Sequence, residues 1–262
     1  MSKKFKTNDV LTSVLFFILA GALLLSEILP ISLSEDTLTN NLIKVSFTRT
    51  VGGCIFLMLI IRMKYRVLGS VKPKHLKGAL LCIPALVIVV NNLPIIGLIT
   101  KNAYVERTSL IPLFAFQCLA IGFFEELAFR GFVFPYVMEK SCSTKKGIFK
   151  SIVISGGIFG LVHMLNLLAG ADPGSVFLQI GYSFLIGAMC SVVLLRTANV
   201  WICVLLHAIY DFCGYLVPTL GGGKIWDSTT VTITVILSVA VTVYMTILFF
   251  NTKAEEAENI YR

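Results

Sequence analysis

Hydrophobic residues along this chain fall in long blocks separated by short polar segments. They show neither the alternation of a half-buried strand nor the narrow stripe of a water-facing helix. Each block is close to the roughly 20 residues that carry a helix across a bilayer core. The pattern predicts about eight spans: Val10–Pro30, Val45–Ile61, Ala79–Ile99, Ser109–Val137, Ile152–Leu168, Val176–Leu195, Val200–Val217 and Val231–Phe250. The fourth is too long for one upright helix and is expected to bend or emerge near Gly131 or Pro135. The longest polar segments, Ser32–Asn41, Arg62–Gly78 and Asn251–Arg262, are too short to bury cores of their own. One integral membrane domain over residues 1–262 is therefore expected: an all-α, polytopic bundle.

Three local features qualify the pattern. Asn91-Asn92 before Pro94 reads as a helix interruption or an interhelical hydrogen bond. Gly221-Gly222-Gly223 reads as a flexible turn, because no strand precedes it and no Gly-Lys-Ser/Thr follows. The tail Ala254-Glu255-Glu256-Ala257-Glu258 reads as a solvated extension of the last helix.

Composition agrees with a lipid solvent. Hydrophobic residues make up 56% of the chain, mean hydropathy is +0.88, and charged residues are 14%, about half the share in soluble domains. The net charge of +8 does not argue for nucleic acid, because the basic residues sit in short loops beside helix ends. Lys3, Lys4 and Lys6 precede the first span. Arg62, Lys64, Arg66, Lys72, Lys74 and Lys77 fill the second loop, Lys140, Lys145, Lys146 and Lys150 the fourth, and Arg196 follows the sixth span. The alternate loops are poorer, with Lys44, Lys101, Arg107 and Lys224. Positive-inside counting places both termini in the cytoplasm, which an even helix count allows. The first block lacks a small-residue cleavage site and reads as a span, not a removed signal peptide. Seven scattered cysteines, without a CxxC pair, read as small apolar packing residues.

Against this background a few ionisable residues stand out, because each costs several kcal/mol at bilayer depth. Glu125, Glu126 and Arg130 lie in the fourth span, His163 in the fifth, and His207 and Asp211 in the seventh. Glu126 and Arg130 are four residues apart on one helix face and suit an ion pair. Glu125 points about 100° away and lacks that local partner. Asp211 lies one turn beyond His207, placed to accept from one ring nitrogen and orient the other. Phe159 and Asn166 flank His163 on its face. Arg49, near the outer end of the second span, is expected to snorkel to the interface.

Counted from the cytoplasmic ends, Glu125, His163 and His207 lie roughly 18, 18 and 12 Å deep. Similar depth on three spans predicts one buried polar cavity, open toward the cytoplasm. A carboxylate and two imidazoles there suit activation of water, with Glu125 as general base and His207 donating to an oxyanion. Glu125, His163 and His207 also suit a zinc ion with an open position; HExxH is absent, and spacing does not decide between a metal and none. A structural ion-pair network and an ion-coupled transporter are the alternatives. Transport is disfavoured by the lack of inverted repeats.

The same residues carry a family resemblance. Gly122-Phe123-Phe124-Glu125-Glu126-Leu127-Ala128-Phe129-Arg130-Gly131 resembles the EExxxR motif of the CAAX-protease and bacteriocin-processing (CPBP, or Abi) intramembrane peptidases. Phe159 to His163 resembles their FxxxH motif and His207 to Asp211 their HxxxN/D motif, in the same order, within roughly Leu110 to Val217. The resemblance implies a catalytic core at residues 110–217. Glu125 would be the water-activating base, His163 its partner, His207 and Asp211 the oxyanion side, with Glu126 and Arg130 shaping the site. Asp211, where Asn is common, adds a negative charge beside His207. The implied substrate is a membrane-associated peptide or membrane-anchored protein. The chain looks most like bacterial plasma-membrane members associated with peptide maturation, bacteriocin immunity and surface display. A non-catalytic immunity or scaffold protein of the same fold is the runner-up.

Overall fold

A computed structural model describes residues 7–261 except positions 28, 30, 70, 71, 142 and 143. Lys3, Lys4, Lys6, Pro30 and Cys142 therefore lie outside the described residues. The chain is nearly all helical: α1 Thr7–Ser26, α2 Thr37–Met63, α3 Pro73–Leu81, α4 Ile83–Val90, α5 Ile95–Ile99, α6 Ile111–Glu126, α7 Phe134–Ser141, α8 Lys145–Val162, α9 Pro173–Thr197, α10 Val200–Leu220, α11 Ser228–Phe250 and α12 Ala254–Tyr261. Among the described residues seven helical segments are long and apolar enough to cross a membrane. They are Thr37–Met63, Pro73–Val90, Thr108–Ser141, Lys145–Leu167, Pro173–Thr197, Val200–Leu220 and Ser228–Phe250. The expected first span falls on α1, whose described apolar stretch, Phe17–Ser26, is shorter.

Helix starts follow side-chain caps that satisfy otherwise orphaned backbone N–H groups. The Asp36 carboxylate accepts from the Thr39 N–H, Thr144 from Gly147, Asp172 from Ser175, Asn199 from Trp201 and Asp227 from Thr230. These backbone donors hold the Asp172 and Asp227 carboxyls below the usual range. Asp36 is held lower still, first by its two-pronged pairing with Arg107 at 3.0 and 2.9 Å. Its cap starts α2 eight residues before the expected Val45, so Arg49 sits well inside the helix.

The long fourth block, expected to bend or emerge near Gly131 or Pro135, changes its winding around Gly131. It continues as a π-helical turn, Leu127–Val133, between α6 and α7. Such widened turns recur at functional sites, and this one carries the fully buried Arg130. The helix does stop at Asn91-Asn92: Asn91 donates to Thr234 at 2.9 Å and Asn92 to the Tyr210 carbonyl at 3.0 Å. These are the interruption and the interhelical bonds expected there.

Two expectations are corrected. Gly221–Gly223 is a short strand, β2, paired antiparallel with β1, Ala103–Val105. A Cβ on Gly221 would overlap the Tyr104 carbonyl, so only glycine permits that backbone approach. The tail is not a solvated extension of the last span. α12 packs against α7, α8 and α9 with Ile260 fully buried, and the Ile260 carbonyl accepts from the Arg66 N–H at 2.7 Å.

Candidate active site

The site rests on close packing of α6 between α2 and α10. Gly122 makes the α10 contact possible: a Cβ there would lie 2.8 Å from the Val204 carbonyl oxygen. One turn later on α6 come Glu125 and Glu126, facing different neighbours.

Glu126 is completely buried. Its Oε1 accepts from Arg130 Nη1 at 3.0 Å and from His207 Nδ1 at 2.8 Å. The expected Glu126–Arg130 pair is thus present, yet Glu126 also orients the histidine. The hydrogen bond from His207 goes to Glu126 and not, as the spacing suggests, to Asp211. Asp211 Oδ2 lies 3.5 Å from His207 Nε2, on the other side of the ring, and Glu125 Oε2 lies 3.7 Å from the same nitrogen. His207 therefore presents Nε2 to two carboxylates while Nδ1 is tied to a third.

His163 closes its own helix end. Its Nδ1 lies 3.0 Å from the Phe159 carbonyl. A carbonyl only accepts, so Nδ1–H is the donor and Nε2 is free of that bond. Phe159 is the hub of the cluster: its ring meets His163 edge-on at 5.2 Å and His207 at 5.9 Å, and the Arg130 guanidinium lies over it at 4.3 Å.

Glu125, His163, His207 and Asp211 line one cavity of about 370 Å³, with Phe159 and Asn166 also in its wall. Asn166 donates to Gln179 at 2.8 Å. Glu126 and Arg130 sit behind the wall. Sequence reasoning missed Arg49, which also lines this cavity. It does not snorkel: Nη1 donates to Glu125 Oε1 at 3.2 Å, while Nε and Nη2 grip Glu27 at 2.9 and 3.2 Å. Misplacing the start of α2 hid the signal, because a cation counted from Val45 lies near an interface.

The cavity's direction also differs from the expectation. Its wall also includes Leu38 and Asn41 at the start of α2, Gln117 on α6, Gln179 on α9 and Thr219 at the end of α10. All lie toward the end of the bundle holding β1, β2 and the Asp36–Arg107 pair, opposite the loops rich in lysine and arginine. The cavity thus extends away from the basic end toward which it was expected to open. α8 begins at Lys145, seven residues before the expected Ile152, so His163 lies close to the far end of its span.

Zinc ligands converge within a few ångströms of one another. Among the described residues the group whose three ligand atoms lie within 4.8 Å is Glu126, Cys190 and Cys203, not Glu125, His163 and His207. The Glu126 carboxylate in that group is already engaged by Arg130 and His207. Neither set fits a catalytic zinc as arranged, and what the cavity offers is carboxylate and imidazole chemistry.

Apolar spans around a buried polar cavity define a multi-pass helical membrane protein. Residues 107–213 match the family model of type II CAAX prenyl endopeptidase Rce1-like proteins, so this segment is an Rce1-like domain of the CPBP family. The family supports a membrane endopeptidase in general terms. The match covers Glu125, Glu126, Arg130, Phe159, His163, His207 and Asp211; Glu27 and Arg49 lie outside it. No curated protein and no solved structure gave a significant match to the chain.

Proposed function

We propose that the protein is an intramembrane endopeptidase that cleaves a peptide bond in a membrane-associated peptide or protein, with residues 110–217 as catalytic core. The observation that carries this reading is the convergence of Glu125, His163, His207 and Asp211, from three helices, on one cavity. Glu125 takes a proton from a water molecule as that water adds to the scissile carbonyl. His163, with Nε2 free of its own helix, holds the same water. His207 Nε2–H donates to the oxyanion, the ring being fixed by Glu126 through Nδ1, and Asp211 steadies the donor from beside it. On collapse of the tetrahedral intermediate the protonated Glu125 gives its proton to the leaving amine, and the peptide bond breaks.

A second, largely apolar cavity of about 540 Å³ lies between α9, α10 and α11 and shares Tyr182, Ile186, Tyr210 and Tyr215 with the polar one. It suits a lipid chain carried by the substrate, in keeping with the prenylated substrates in the matched family's name. With the basic loops in the cytoplasm, the polar cavity faces the opposite side, which favours a substrate reaching that leaflet. Bacterial peptide maturation or bacteriocin immunity fits such a protease in a plasma membrane.

Purified protein in lipid nanodiscs is tested with a fluorogenic farnesylated CAAX peptide. Glu125→Gln, His163→Ala and His207→Ala are each expected to lower kcat by about 10² to 10⁴-fold while the fold is kept. Cleavage by the Glu125 variant at the wild-type rate would contradict the mechanism.

A further inference from the structure

Glu125 is held from outside the matched segment. Its Oε1 is bound by Arg49 Nη1 at 3.2 Å, which leaves Oε2 as the edge facing His207 Nε2. Arg49 is itself fixed on every side. Its guanidinium lies over the Phe124 ring at 5.3 Å, and its other two nitrogens form a fork on Glu27. Glu27 also accepts from the Thr48 hydroxyl at 2.6 Å. Each of Glu27, Arg49 and Glu125 is less than one-fifth exposed. A planar guanidinium gripping one carboxylate by two nitrogens and offering a third to another has its direction set, which a lysine cannot reproduce.

We propose that Arg49 and Glu27 are positioning residues for Glu125: Glu27, at the end of α1, aims Arg49 on α2, and Arg49 turns the Glu125 carboxylate so that Oε2 faces His207. The proposal rests on the reading of Glu125 as the base. It makes α1, which packs chiefly against α2, part of the working site. An error of about 1 Å in such a carboxylate costs up to about 10²-fold in rate without loosening substrate binding.

The full chain in nanodiscs, with the fluorogenic farnesylated CAAX peptide as probe, separates this from a merely structural role. Arg49→Gln is expected to lower kcat about tenfold or more with KM nearly unchanged, and Arg49→Lys not to restore it. Glu27→Gln acts through Arg49, so it lowers kcat alone but adds nothing in the Arg49→Gln background. Arg49→Gln with wild-type kcat, or independent multiplying effects of the two substitutions, would overturn the proposal. Thermal melting gives a readout that needs no activity. Arg49→Gln is expected to lower Tm, and to lower it less when Glu125 is already Gln, because one stranded carboxylate has been removed. Additive Tm changes would overturn the linkage. Failure of wild-type protein to cleave the probe counts against the endopeptidase reading, and the melting cycle then decides the linkage alone.

Discussion

Glu126 and Arg130 are both fully buried, and only part of their hydrogen-bonding capacity is met: Glu126 Oε2 and Arg130 Nε and Nη2 have no partner among the described residues. Such a pair stabilises little on balance but is costly to break, because the surviving charge is stranded. Glu126→Gln is expected to cost on the order of 3–5 kcal/mol, seen as a lower melting temperature in detergent. Adding Arg130→Met should recover part of that loss. The i, i+4 spacing revealed this pair, but not that its carboxylate also takes His207, since no local rule links residues on different helices. Arg49 was legible in principle as a cation in an apolar block. It was assigned to the interface because the turns before Val45, rich in Thr and Asn, look like loop. They are helix, and Leu38 and Asn41 there line the cavity.

Among elements, α6 and α10 carry the acid and the imidazole, and the distance between them sets where the two meet. Gly122→Leu is expected to push the helices apart and lower kcat about 10²-fold while circular dichroism stays helical. Gly157→Ala, with open space around the new methyl, should leave activity intact. The start of α2 is pinned by Asp36, whose carboxyl Arg107 holds below its ordinary range. A depressed folded value means that Asp36 stabilises above its unfolded pKa of about 4 and loses that contribution as pH falls through the folded value. The gap in melting temperature between wild type and Asp36→Asn should therefore be constant above about pH 5 and narrow below about pH 4. Helix existence was legible from the apolar blocks. The π-helical turn around the buried Arg130 was not, because an apolar block reads the same with or without a widened turn, and neither was β2, because a glycine run as strand depends on the partner backbone.

For the whole molecule, the blocks predicted a helical membrane bundle, and seven described helices fit that reading, with α1 shorter in its apolar stretch. The direction of the cavity was not legible. It depended on a few residues of helix length at the starts of α2 and α8, where Thr, Asn and Lys read as loop. The central claim is that Glu125 performs hydrolysis at the point where α6, α8 and α10 meet. Mass spectrometry of small peptides from cells making wild-type protein or Glu125→Gln at equal membrane levels tests it most directly. The account predicts peptides present with wild type and missing with the variant. The same peptides in the same amounts from both would contradict it.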